Sequence, residues 1–100
     1  MKKSMRSILP IRIFRVAERS MEPTIKEGDY LVLLAFGRLG IGDIVALKHP
    51  YKNLTIIKRI VKARVDSIYV EGDNGKSSED SRRFGFVKKS VVIGKVLLKI

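Results

Sequence analysis

At 100 residues, 45% of them hydrophobic, the chain has apolar material for one small core and no room for a second domain. It has no cysteine and a single histidine, His49, which excludes a disulfide framework, a thiolate nucleophile and a histidine or thiolate metal cluster, so no metal or cofactor is expected. A net charge of +11 favours acidic partners, whether nucleic acid, anionic lipid or an acidic protein, beside the plain alternative of a solvated basic surface.

Residues 1–15 carry Lys2, Lys3, Arg6, Arg12 and Arg15 and no acidic residue, so this end is the most basic and the one that could touch an anionic membrane. Its apolar residues are interrupted by Pro10, Arg12 and Arg15, short of the roughly 20 that a spanning helix needs. No small-residue cleavage site follows, as a secretory signal would require. Neither a transmembrane anchor nor a cleaved signal peptide is expected, and residues 1–10 read as a basic leading segment of one 1–100 domain.

Residues 11–16 mix β-branched and aromatic residues with charges at short period and predict a strand running towards Ser20. Ser20-Met21-Glu22-Pro23-Thr24 places a serine just ahead of an X-Pro turn, which can present a hydroxyl on a fixed, exposed corner. Serine is a feeble nucleophile at its own pKa, so a reactive Ser20 needs a base nearby. Lys26-Glu27-Gly28-Asp29 reads as a turn, residues 30–36 as a buried strand, 37–43 as a turn-rich link, and 44–48 as a strand stopped at His49-Pro50.

Residues 54–65 form the longest β-like stretch, with Ile56, Lys58 and Ile60 on one face and Ile57, Arg59 and Val61 on the other. Asp66-Ser67 can close a hairpin onto residues 68–71, and the polar residues 72–81 are long enough to be either disordered or functional. Residues 91–98 close the chain as a strand, with Gly94 marking a bulge or a close backbone approach. The pattern is mainly β.

Two side chains could serve as base to Ser20. His49 lies beside Pro50 with no third member of a triad in view, whereas Lys58 sits between two isoleucines, and a lysine acts as a base only where burial disfavours its charge. The plain reading of Lys58 and Arg59 is a pair of side chains reaching from a strand to solvent.

Ser20-Met21-Glu22-Pro23-Thr24 with Gly28-Asp29, then Gly42-Asp43-Ile44-Val45, Lys58-Arg59-Ile60-Val61, Gly72-Asp73-Asn74 through Ser78-Glu79-Asp80-Ser81-Arg82, Phe84-Gly85-Phe86-Val87 and Ile93-Gly94-Lys95-Val96 resemble the type I signal peptidase family in order and spacing. The blocks span residues 18–96. The resemblance implies a small signal-peptidase-like fold of antiparallel strands, reduced to the catalytic core, since the stretch from Lys58 to Gly72 is too short for the extra domain of larger members. It also implies a serine endopeptidase with a Ser–Lys dyad: Ser20 as nucleophile, Lys58 as general base, Ser78 as the hydroxyl that orients the lysine, and Asp80 and Arg82 as an ion-pair network with Arg59. Met21 and Pro23, beside the nucleophile, are expected to contact substrate.

The implied partner is a precursor protein with an N-terminal leader. Among short relatives the loop most resembles that of nickel-type superoxide dismutase maturation proteases. One departure stands out: the family's bacterial members carry a hydroxyl two residues before the nucleophile to help hold the oxyanion, and this chain has Glu18, which cannot donate when ionised. The alternative from another class is a basic β-domain that binds nucleic acid or anionic membrane without proteolysis. The few, scattered aromatic residues argue against nucleic acid, which is not expected as a partner. Self-cleavage, as in repressor-type Ser–Lys proteases, lacks a partner domain to release.

Overall fold

The structure is a computed structural model that describes residues 10–77 and 79–100. The basic leading segment, apart from Pro10, and Ser78 lie outside the described residues. Seven strands form: β1 (Ile11–Arg15), β2 (Tyr30–Leu34), β3 (Ile44–Lys48), β4 (Thr55–Ala63), β5 (Ser67–Glu71), β6 (Val87–Lys88) and β7 (Val92–Lys99). All their pairings are antiparallel, and they join in one sheet in the order β1-β2-β7-β3-β4-β5-β6. The fold is therefore mainly β, as the pattern predicts.

Period-2 alternation explains where the core lies. On β3, Ala46 joins one buried cluster with Val16, Met21, Ile25, Leu31, Leu33 and Ile57, while its neighbours Val45 and Leu47 join a second with Ile56, Ile60, Ile68, Val70 and Val87. Successive residues face opposite sides, so the β3–β4 pair is covered on both faces, which is why residues 44–47 are continuously apolar. β2 differs from expectation. Leu31 and Leu33 are buried, but Tyr30 is exposed and Val32 and Leu34 only partly covered, so the all-apolar run hides a one-sided strand.

The C-terminal strand β7 lies between β2 and β3, and its register shifts against both. Gly94 sits at this crowding: a Cβ there would meet Leu33 Cβ and the Leu34 carbonyl oxygen, each at 3.1 Å. Here the sequence expectation of a close backbone approach is met. The β4–β5 hairpin closes through Arg64 N–H to Ser67 O at 2.8 Å. Among the described residues no helix is long and apolar enough to cross a membrane.

Candidate active site

β1 ends at Arg15, and the chain stays tied to the turn before β2, Val16 N–H donating to Asp29 O at 2.8 Å and Gly28 N–H to Val16 O at 2.7 Å. Residues 20–24 then turn. Met21 and Ile25 are buried in the core on either side of the cis Glu22–Pro23 bond, and Ile25 N–H donates to Met21 O at 3.0 Å. The Met21 side chain is covered and its Sδ accepts from Asp73 N–H at 3.4 Å, whereas Pro23 is exposed. A second grip comes from the loop after β5: Asn74 N–H donates to Ser20 O at 2.8 Å, and Asn74 Nδ2 to Arg19 O at 3.1 Å.

Lys58 stands in the middle of β4, opposite Val45, between the buried Ile56 and Ile60 of its own strand. It is 1% exposed and Ser20 is 2% exposed, and Lys58 Nζ lies 2.6 Å from Ser20 Oγ. The chain thus brings together residues 38 positions apart through folding alone. The serine is not the open corner that the turn suggests, because Glu18 covers it. The Ser20 hydroxyl donates to Glu18 Oε1, Lys58 Nζ approaches the same oxygen at 3.0 Å, and Ile57 N–H donates to Glu18 Oε2 at 3.2 Å. Ser20 Oγ also lies 3.3 Å from Ile57 O. A buried amine needs compensating partners, and Lys58 has both a hydroxyl and a carboxylate.

The described residues of the polar stretch 72–81 gather around one carboxylate. Asp80 is 0% exposed; it accepts from Gly72 N–H at 2.8 Å and from Arg82 N–H at 3.1 Å, and it pairs with the Arg82 guanidinium at 2.6 Å and 3.0 Å. It caps the short helix α1 (Ser81–Phe84). Ser81 Oγ accepts from Val70 N–H at 2.9 Å, which fastens the loop to β5. Ser78, expected to orient the lysine, falls outside the described residues.

Arg59, expected to join Asp80 and Arg82, takes a different carboxylate. Its Nε and Nη2 reach Asp73 at 3.0 and 2.9 Å, and Nη1 reaches Gly42 O at 3.0 Å. Alternation sends Arg59 to the face opposite Lys58, where Asp73, also bonded to Thr24 Oγ1 at 2.6 Å, is the carboxylate within reach. The Arg59 guanidinium holds the Asp73 carboxyl below its ordinary value, with Thr24 adding to it, and Asp73 in turn raises Arg59. A carboxyl lowered by folding contributes stability above its unfolded pKa, and that contribution is lost as pH falls through the folded one. Asp73→Asn should therefore cost about 1–2 kcal/mol at pH 7. The gap to wild type should close as pH drops below about 4, as urea unfolding at pH 7 and pH 3 would measure.

His49 is buried, as a core residue. Its Nδ1 accepts from Tyr51 N–H at 3.0 Å, its Nε2 lies 3.2 Å from Glu79 Oε1, and its ring packs edge-on against Phe84 at 5.3 Å. The neighbouring Lys52, 2.9 Å from Glu79, holds that exposed carboxyl below its ordinary value, with His49 a lesser cause. These contacts join the β3–β4 loop to the polar loop and α1. The sequence reading flagged Glu18 as anomalous but gave no sign that its carboxylate would bridge serine, lysine and a strand amide.

With this geometry in place, the chain can be compared with known proteins. The model of the family described as signal peptidase, peptidase S26, matches residues 5–64 and 62–100. The chain is 32% identical over 111 residues to the mitochondrial ATP-independent inner membrane protease subunit 1a of Arabidopsis thaliana. It is 29% identical over 106 residues to the mitochondrial inner membrane protease subunit 1 of Xenopus tropicalis. Each alignment covers 81% of this chain, and 65% and 64% of the respective relatives, so the chain spans just under two thirds of their length.

Proposed function

The chain belongs to the signal peptidase family, peptidase S26, and from that premise we propose that it is a serine endopeptidase whose Ser20–Lys58 dyad removes an N-terminal leader from a precursor protein. The observation that carries the reading is the 2.6 Å approach of a buried amine to a buried hydroxyl. Neutral Lys58 takes the Ser20 proton as Oγ bonds to the scissile carbonyl carbon. The C–N bond then breaks, the proton passes from Lys58 to the leaving amine, and the leader remains as an ester on Ser20. Water, deprotonated by Lys58, releases it as a free carboxylate.

The backbone N–H of Ser20 is the oxyanion donor in this reading, and Ser78 supplies the hydroxyl that orients Lys58. Asp80 and Arg82 hold the polar loop, and through Asn74 the Ser20 turn, while Arg59 fixes Asp73 at the loop's start. The substrate lies extended beside the turn, with Met21 and Pro23 shaping its path. The names of the relatives and the basic first 15 residues support peripheral contact with an anionic membrane.

Two precursor classes fit: secretory precursors, and the leader-bearing precursor of nickel superoxide dismutase. Incubating the protein with one of each and weighing the products should give a shortened protein with a single new N-terminus and a released leader. Cleavage of only one names the class, and an intact mass for both would remove leader processing as the function.

A further inference from the structure

Ile57 presents its two main-chain groups to a stretch of sheet edge that no strand of the described residues pairs with, its O lying 3.3 Å from Ser20 Oγ. Ile60 exchanges hydrogen bonds on the β3 side, its N–H with Asp43 O and its O with Gly42 N–H, each at 2.8 Å, so alternation turns the groups of Ile57 the other way. β5 does not cover them, because its pairing with β4 begins at Arg59 opposite Glu71. Such an edge is where an extended peptide adds as a further strand. In this structure its amide is already taken: Glu18 Oε2 accepts the Ile57 N–H, while Oε1 accepts the Ser20 hydroxyl and lies 3.0 Å from Lys58 Nζ.

A carboxylate with one oxygen on an edge amide and the other between nucleophile and base blocks both the strand-pairing amide and the dyad that the new carboxylate of a cleaved peptide would face. Building on the protease reading, we propose that Glu18 is an internal stand-in for that product carboxylate, which closes the unoccupied site and must leave before a substrate strand can bind. The Ser20 proton points to Glu18 in the closed arrangement. Once the substrate backbone has taken the Ile57 N–H, the carboxylate swings out, and Lys58 is the acceptor left to the hydroxyl. Glu18 has room to go, since its side chain is 27% exposed while those it touches are buried. It is thus a positioning residue that sets how easily the site opens.

The test uses Glu18→Ala, too short to bridge and without a donor of its own, and Glu18→Gln, of equal length but uncharged, with a fluorogenic peptide carrying alanine around the scissile bond. If the closed form holds about nine-tenths of the resting enzyme, opening it should lower KM about tenfold without lowering kcat. The same peptide cut short to end in a free alanine carboxylate, followed by the Ile57 amide signal in NMR, should bind Glu18→Ala roughly tenfold tighter than wild type. Its C-terminal amide should gain far less. Equal affinity of wild type and both variants for the free-acid peptide, or a KM that rises in both, would overturn the proposal. Cleavage by wild type, lost in Ser20→Ala but no better in the Glu18 variants, sinks this inference and leaves the protease reading standing. Absence of cleavage in every Ser20-containing protein sinks the protease reading, while the binding comparison still decides on Glu18.

Discussion

Replacing Ser20 by Ala, or Lys58 by Met, should each reduce precursor cleavage by about 10⁴-fold or more, to the level left by substrate binding alone. The two losses should not add in the double variant, since a nucleophile without its base and a base without its nucleophile disable the same step. Methionine is the informative replacement for Lys58, because it fills the channel between Ile56 and Ile60 while removing the amine. Glu18 loses its ion-pair partner in that variant, but its partly exposed side chain can turn to water. A buried charge exchanged for an apolar chain of similar volume is often neutral or stabilising, so the thermal midpoint of Lys58→Met should match or exceed that of wild type. More than a tenth of wild-type activity in Lys58→Met would rule out the lysine as base.

The largest loss of stability should come from Asp80→Ala. Truncation leaves the buried Gly72 N–H without its acceptor, uncaps α1 and strips the Arg82 guanidinium of its partner. A buried carboxylate removed from such a setting costs about 3–5 kcal/mol, against a total of about 5–15 kcal/mol for a domain. Asp80→Asn should cost nearly as much, because an amide nitrogen in place of one oxygen would face donors on both sides. Arg82→Ala should cost less, since the guanidinium is partly exposed and the carboxylate keeps its two backbone donors. Urea unfolding followed by circular dichroism would rank the three. Activity should fall in the same order, because the loop that Asp80 anchors also holds Asn74 against Ser20. A silent Asp80→Ala would show that Ser81 and the β5 contacts suffice to order the loop.

Strands with a clear period were legible from the residues. β3 and β7 fall within a residue of the stretches 44–48 and 91–98, and β4 lies inside 54–65. The burial of Lys58 was half legible: isoleucines two residues away on each side allow it, while the strand by itself reads as a lysine reaching to solvent. Tyr30 and its neighbours misled, since an all-apolar run cannot say which half faces outward. The helix α1 was hidden by its setting: four residues in a polar stretch carry no periodicity. Partner choice among charges was least legible. Arg59 has three acidic residues of the same loop to choose from, Asp73, Glu79 and Asp80, and the face of β4 on which it emerges decides for Asp73. Glu18 is the extreme case, since a carboxylate near a serine reads as repulsion until three-dimensional proximity supplies donors on both its oxygens.

The strand order has a consequence for biosynthesis. Ser20 follows β1 and Lys58 belongs to the β3–β4–β5 meander, and β7 is the strand that pairs with both β2 and β3. A nascent polypeptide halted before residue 92 has no strand ladder between β2 and β3, and that ladder must await the eight residues of β7. The pocket that joins Ser20 to Lys58 is thus framed late on the ribosome, and a fragment that stops short of β7 should leave its two halves without a shared ladder.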